Sequence, residues 1–122
     1  MIDHLGIVVS NFAKSKDFYQ KALEPLGYKI LDEFEETVGF GTGDKADFWI
    51  SEETGTKPTP MHFAFRGENR DVVKAFHKAG VAAGGKNNGE PGLRPQYHPN
   101  YYGAFVLDPD GNNVEAVCHY PD

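Results

Sequence analysis

The chain has a single cysteine, Cys118, and no surplus of positive charge. Twelve lysines and arginines stand against 18 aspartates and glutamates in 122 residues, a formal net charge of −6. One cysteine excludes an intrachain disulfide and fits a reducing compartment. The acidic balance, with no Lys/Arg cluster to override it, excludes a general nucleic-acid or anionic-membrane binder. No apolar run approaches the ~20 residues of a membrane span. The N-terminal residues lack a basic stretch followed by an apolar core, so no signal peptide is expected and the expected location is cytoplasmic. No G-x-x-x-x-G-K-[ST] or strand–helix G-x-G-x-x-G occurs, so no nucleotide site is indicated. What is present is a hydrophobic fraction of 39%, including 13% aromatic residues, which suits one folded domain rather than a disordered chain.

That domain is a duplication. His4 and His62 lie 58 residues apart and each opens a strand-like segment. Fourteen residues after each histidine comes a Phe (Phe18, Phe76), nineteen after a branched aliphatic (Leu23, Val81), and twenty-three after a Gly (Gly27, Gly85). A fixed period of this kind decides the fold before any single element does. Module one covers about residues 1–55 and module two about residues 60–122, joined by the polar EETGTKPTP stretch Glu52–Pro60.

Residues 2–9 alternate, with Leu5, Ile7 and Val9 on one face and His4, Gly6 and Val8 on the other. Ser10 or Asn11 then caps a helix expected to run to about Leu26, weakened by Pro25 and ended by Gly27. Three short strands follow over about 28–34, 37–42 and 46–51. In the second module Met61, Phe63 and Phe65 oppose His62, Ala64 and Arg66, and a helix from Glu68 or Asn69 runs to about Ala82. Residues 84–100 hold four Gly and three Pro, so the second strand of this module is expected to be degenerate or replaced by a long loop. Two strands, 101–107 and 113–118, close the chain around DPDGN. The fold class is therefore α+β: two tandem βαβββ modules forming a curved, mostly antiparallel sheet cup with helices on the outside.

In each module the more apolar strand face should receive the helix, leaving the faces of His4 and His62 to line the cup. Glu115 interrupts an otherwise apolar strand and shares its parity with Val117 and His119. Two imidazoles and one carboxylate suit a first-row divalent metal with open positions, as catalytic sites need. The expected ligands are His4, His62 and Glu115, and the expected cofactor is Fe, Mn, Ni, Co or Zn. Trp49, Arg66, Arg94, Tyr101 and Tyr102 are candidates for the substrate pocket. His98, in the long loop, is the candidate acid/base group. His77 is expected to be solvated, and Cys118 to be a buried small hydrophobe. DPDGN does not continue as a calcium loop, because Asn113 and His119 stand where such a loop needs Gly and Glu.

The duplicated layout, His4 in DHLGIVV, His62 in MHFAF and Glu115 in DPDGNNVEAV resemble the vicinal oxygen chelate superfamily. It includes glyoxalase I, extradiol dioxygenases and the fosfomycin- and bleomycin-resistance proteins. The resemblance spans nearly the whole chain and implies paired modules around an open cup, with His4, His62 and Glu115 matching metal ligands. Glyoxalases place a fourth ligand in the last strand of the first module. Apolar pattern puts Trp49 there; counting from the turn glycine puts Asp47 there, and the pattern is preferred. The resemblance implies a metal-dependent lyase, isomerase or ring-cleaving enzyme acting on an oxygen-chelating small molecule. The alternative is a metal-free, drug-sequestering binder of the bleomycin-resistance type. Neither nucleic acid nor membrane is an expected partner; a small-molecule substrate and a second copy in a homodimer are.

Overall fold

Alternation in the sequence becomes two four-stranded sheets in a computed structural model, which describes residues 1–121. Module one runs β1 (Leu5–Val8), α1 (Phe12–Ala22), a 3-10 turn (Glu24–Leu26), β2 (Lys29–Phe34), β3 (Thr37–Gly41) and β4 (Phe48–Ser51). Module two runs β5 (His62–Arg66), α2 (Arg70–Ala82), β6 (Lys86–Leu93), β7 (Tyr102–Leu107) and β8 (Asn113–Cys118). The strand orders are β1-β4-β3-β2 and β5-β8-β7-β6. In each sheet the first and last strands pair in parallel and the remaining neighbours antiparallel.

Of the two residues expected at each helix start, Ser10 or Asn11 and Glu68 or Asn69, the asparagine is the cap in both. The Asn11 side chain accepts from the Lys14 N–H, and that of Asn69 from the Val72 N–H, each satisfying a donor the helix leaves free. The helix ends differ between the modules. α1 stops at Ala22, four residues before the expected end, because Pro25 cannot continue it and the chain tightens into the 3-10 turn closed by left-handed Gly27 (φ 85°). α2 runs the relative distance of two residues further, and its left-handed glycine is Gly84 (φ 100°), not the repeat-matched Gly85. Val81 consequently faces solvent while its counterpart Leu23 is fully buried.

The 84–100 segment is not a loop throughout, since β6 occupies eight of its residues. Its pairing with β7 slips between Asn87 and Gly89 and again between Gly89 and Gly92. Pro91 falls in the second slip, on an edge strand, where a missing N–H costs no ladder bond. The expected degenerate strand is thus a bulged one.

Each sheet turns one face to a helix, and these faces meet in one core. Ile7, Val9, Phe18, Tyr19, Phe48 and Ile50 of module one pack in the same cluster as Phe65, Val73, Phe76, Val106 and Ala116 of module two. Phe48 lies 5.5 Å from Phe63 and 5.3 Å from Phe65, ring centre to ring centre. Phe18 reaches into module two, where a Cβ on Gly85 would stand 2.6 Å from its ring. The Tyr19 hydroxyl donates to the buried Asp108 carboxylate, and burial pushes that phenol well above its ordinary range, with Asp108 adding to the shift. Asp108 also accepts from the backbone N–H of Asp110 and Asn112 and from the Asn112 amide. The open face of each sheet lies on the far side from this shared core. Among the described residues no helix is long and apolar enough to cross a membrane.

Candidate functional site

Register lays out the open face of the second sheet in rows. Ala64 pairs with Glu115, Glu115 with Phe105, and Phe105 with Gly89. Two residues to one side of that row His62 pairs with Asn113, and two residues to the other side Arg66 pairs with Val117. Paired residues project from the same face, so His62, Ala64, Arg66, Glu115 and Phe105 share a surface. The His62 and Phe105 rings lie 6.2 Å apart.

Glu115 is only 2% exposed although it stands on the open face. Its cover is Tyr101, whose hydroxyl donates to Oε2. Gly103 makes the fit possible: a Cβ there would come within 3.2 Å of the Tyr101 ring and 3.3 Å of that oxygen. Desolvation first, and the bond to Glu115 second, push the Tyr101 phenol far above the tyrosine norm. It is therefore a fixed donor.

The other carboxylate oxygen, Oε1, faces His62 Nε2 at 3.3 Å. His62 Nδ1 is 2.9 Å from the Asn113 carbonyl oxygen, which can only accept, so Nδ1 carries the hydrogen. In the neutral ring Nε2 then holds a lone pair directed at a carboxylate oxygen. Two acceptors at this distance need a proton or a cation between them. An imidazole tied at its far nitrogen to a carbonyl, beside a carboxylate tied at its far oxygen to a hydroxyl, is the outer-shell arrangement of metal-ligating groups. A proton on Nε2 would join the two as an ion pair, and a divalent cation would find in them two of the donor types it takes.

His4 stands just before β1, in the other module. Its Nδ1 is 2.7 Å from Asp3 Oδ1, and Asp3 also takes the Lys45 ammonium at 2.7 Å. Lys45 first and His4 second hold the Asp3 carboxyl below its ordinary value. Anchored this way, His4 has no partner at Nε2 among the described residues, and its side chain is about as exposed as that of His62. The chain nevertheless does not gather the three expected ligands: among the described residues no group of three His, Cys, Asp or Glu side chains is close enough to hold one metal ion. His62 and Glu115 meet; His4 belongs to the first sheet.

Register also compares the two modules at the fourth position. Gly6 pairs with Trp49 as Ala64 pairs with Glu115. Trp49 therefore holds in β4 the place Glu115 holds in β8. Its ring lies over Gly39, where a Cβ would stand 2.8 Å from it, and against the exposed Phe34 at 6.5 Å. Asp47 precedes β4 and accepts from the Tyr28 hydroxyl at 3.3 Å, while its Oδ1 is buried without a partner among the described residues. Burial, then Asp47, pushes the Tyr28 phenol far up.

The remaining pocket candidates divide. Arg94 lies over the Phe105 ring at 5.4 Å and so borders the His62–Glu115 pair. Arg66 is exposed on the same face. Tyr102 is a correction: it pairs with buried Cys118, is itself buried, and lies under the Arg70 guanidinium of α2, on the helix side of the sheet. One residue of parity separates it from Tyr101. His98 is not alone at the rim. Its Nδ1 accepts from the Asn100 N–H, so its Nε2–H donates to His119 Nδ1 at 2.7 Å, with the rings stacked and both against Tyr101. That bond, the Asp3–His4 contact and the place of Phe105 escape a reading by residue type. Asp3 is signalled by adjacency alone, and Phe105 by parity once β7 and β8 are aligned. A 21-residue separation gives no sign of the His98–His119 contact.

β1 and β5 are both edge strands. A cleft of about 480 Å³ runs between them, with His4, Leu5 and Phe48 on one side and His62, Phe63 and Arg66 on the other.

The chain belongs to the Glyoxalase/Bleomycin resistance protein/Dioxygenase superfamily, whose model matches residues 1–116. Among solved structures it is similar to a glyoxalase/bleomycin resistance protein from Albidiferax ferrireducens T118, with 27% identity, a TM-score of 0.83 and 98% of each chain covered. A glyoxalase/bleomycin resistance protein/dioxygenase family enzyme from Burkholderia phytofirmans PsJN shares the fold at 17% identity, TM-score 0.74 and 98% coverage of each chain. So does the E144Q mutant of glyoxalase I from Zea mays, at 24% identity and TM-score 0.71, over 95% of this chain and 46% of that one. No curated protein matches the chain.

Proposed function

We propose that the protein is a divalent-metal-dependent enzyme acting on a small, oxygen-chelating molecule, with each site completed in a homodimer. The observation that carries this is the His62–Glu115 pair, two acceptors facing each other at 3.3 Å with their outer atoms already bonded. Nitrogen and carboxylate donors suit Mn, Fe, Co, Ni or Zn. A cation held there would supply Lewis acidity, polarising oxygens of the bound molecule as charge develops on them. The chain's own residues set the frame. The Asn113 carbonyl fixes the His62 tautomer, Asp3 does the same for His4, and Tyr101 orients Glu115 and keeps water from its Oε2. Stabilising charge on substrate oxygens serves isomerase, lyase and ring-cleaving reactions alike.

The dimer follows from what one chain leaves open. β1 and β5 present unpaired edges, which proteins cover. A two-fold copy laying its β1 beside β5 would bring its His4 toward His62 and Glu115 and cover the cleft. Calorimetric titration of the metal-free protein with Mn, Fe, Co, Ni and Zn ions should give one tight site per chain. Mixing His4→Ala with Glu115→Ala chains under exchange should restore one intact site in each heterodimer. No binding of any of these ions at neutral pH would replace this reading by that of a metal-free binding protein, which the apolar lining of the cleft favours. A monomer at micromolar concentration by light scattering would remove the shared site.

A further inference from the structure

The bulged strand β6 builds something that the metal pair does not use. Its two slips bring Gly89 and Gly92 under the side chain of Arg94. A Cβ on Gly89 would stand 3.2 Å from one terminal guanidinium nitrogen, and a Cβ on Gly92 3.3 Å from the other. The same two nitrogens donate to the backbone carbonyls of Glu90 and Gly92, each at 2.8 Å. The guanidinium lies over Phe105 at 5.4 Å, and Phe105 stands 6.2 Å from His62 on its other side. Arg94 is thus held on a glycine floor, in the row that contains Glu115, with its other N–H groups uncommitted. It forms no ion pair among the described residues, although the chain carries six more acidic than basic groups. Arg66, exposed on the same face, also lacks one.

A cation fixed by neutral carbonyls keeps its whole charge for an incoming anion. A planar fork with spare donors matches a carboxylate in both shape and charge. Glu115 does not compete for it, since Oε2 is taken by Tyr101 and Oε1 faces His62. We propose that Arg94 anchors a carboxylate of the substrate. The molecule would then be a small organic acid that offers chelating oxygens at the His62–Glu115 end and a second, anionic end across Phe105. This rests on the metal-site reading for the first end only.

The test compares metal-loaded protein binding glycolate, which has chelating oxygens alone, with malate and 2-hydroxyglutarate, which add a carboxylate at increasing reach. At least one of the longer acids should bind about tenfold more tightly than glycolate, as expected for a charge-assisted bond. Arg94→Met should abolish that advantage while leaving glycolate affinity unchanged, and Arg94→Lys should restore part of it. Equal affinities in the wild type, or an equal loss for all three acids in Arg94→Met, would overturn the anchor and reduce Arg94 to a staple of β6. Should no metal bind, the metal centre falls and Arg94 is decided by itself. Glutarate binding to the metal-free protein, lost in Arg94→Met, would uphold the anchor, and no such binding would end it.

Discussion

The two modules share a fold and differ in what they display. Each has a strand opened by a histidine and a parallel partner strand. In module two that partner offers a carboxylate, held by Tyr101 and aimed at the histidine. In module one the same register position holds Trp49, whose ring fills the space a Cβ on Gly39 would take. Phe18 and Phe76 keep their correspondence in the core, whereas buried Leu23 matches solvent-facing Val81. The central phenylalanines of the two helices match, while the helix ends and the open faces differ. One face holds a histidine–glutamate pair and an arginine, the other an aromatic platform.

The sharpest way to break this comparison is through the core. Phe18 is wholly buried and wedges against module two, so Phe18→Ala should cost about 3–5 kcal/mol, measured by denaturant unfolding. Phe76→Ala should cost a similar amount in the same single transition. Two separate transitions would show that the modules fold independently. Next come the displayed groups. Glu115→Ala should lower metal affinity by more than the 10–100-fold typical of losing an outer-shell partner, and Tyr101→Phe by an amount within that range. Asp47→Asn should leave metal affinity unchanged by calorimetry, while Trp49→Ala changes ligand binding more than metal binding. Equal losses for the Asp47 and Glu115 variants would mean that module one contributes a carboxylate after all. Metal affinity should also fall as the pH drops below about 6, where imidazoles take up protons.

The smallest effect is alkaline. Tyr19, Tyr28 and Tyr101 are all raised, chiefly by burial. Free tyrosine ionises near pH 10, so the stability these groups contribute is intact below that value. It is lost as the pH rises toward their folded values. An absorbance titration should show these three of the six tyrosines ionising late or only on unfolding. Normal titration of all six would show Tyr19, Tyr28 and Tyr101 to be less enclosed than described.

Much of this was legible in the sequence, for reasons of period. Alternation fixes which face of a strand a residue takes, so His62, Arg66 and Glu115 were placed on one surface from parity alone. The 58-residue spacing marks the duplication, and each helix start is narrowed to two neighbouring residues, of which the asparagine is the cap. Irregular backbone was not legible. The glycines and prolines of 84–100 read as a loop because their bulged pairing has no period, and that pairing is what lifts Arg94 onto the site. Tyr101 and Tyr102 looked interchangeable, yet only one can face the site once β7 has a register. Strand parity likewise puts His4 and His62 on the open faces of their own sheets but does not say whether those faces meet, and among the described residues no group of three metal-ligating side chains forms.

The hydrogen bond from Tyr19 to Asp108 joins the first helix to the last hairpin, and Ser10 reaches the same hairpin at Asp110. The stretch that connects the modules along the backbone, by contrast, is almost wholly exposed from Glu52 to Met61. Continuity of the chain and cohesion of the molecule are therefore carried by different parts. A protease that cut near Gly55 would leave two fragments that still co-migrate under native conditions and separate only in denaturant. The same division makes Gly55 a natural point at which to open new termini.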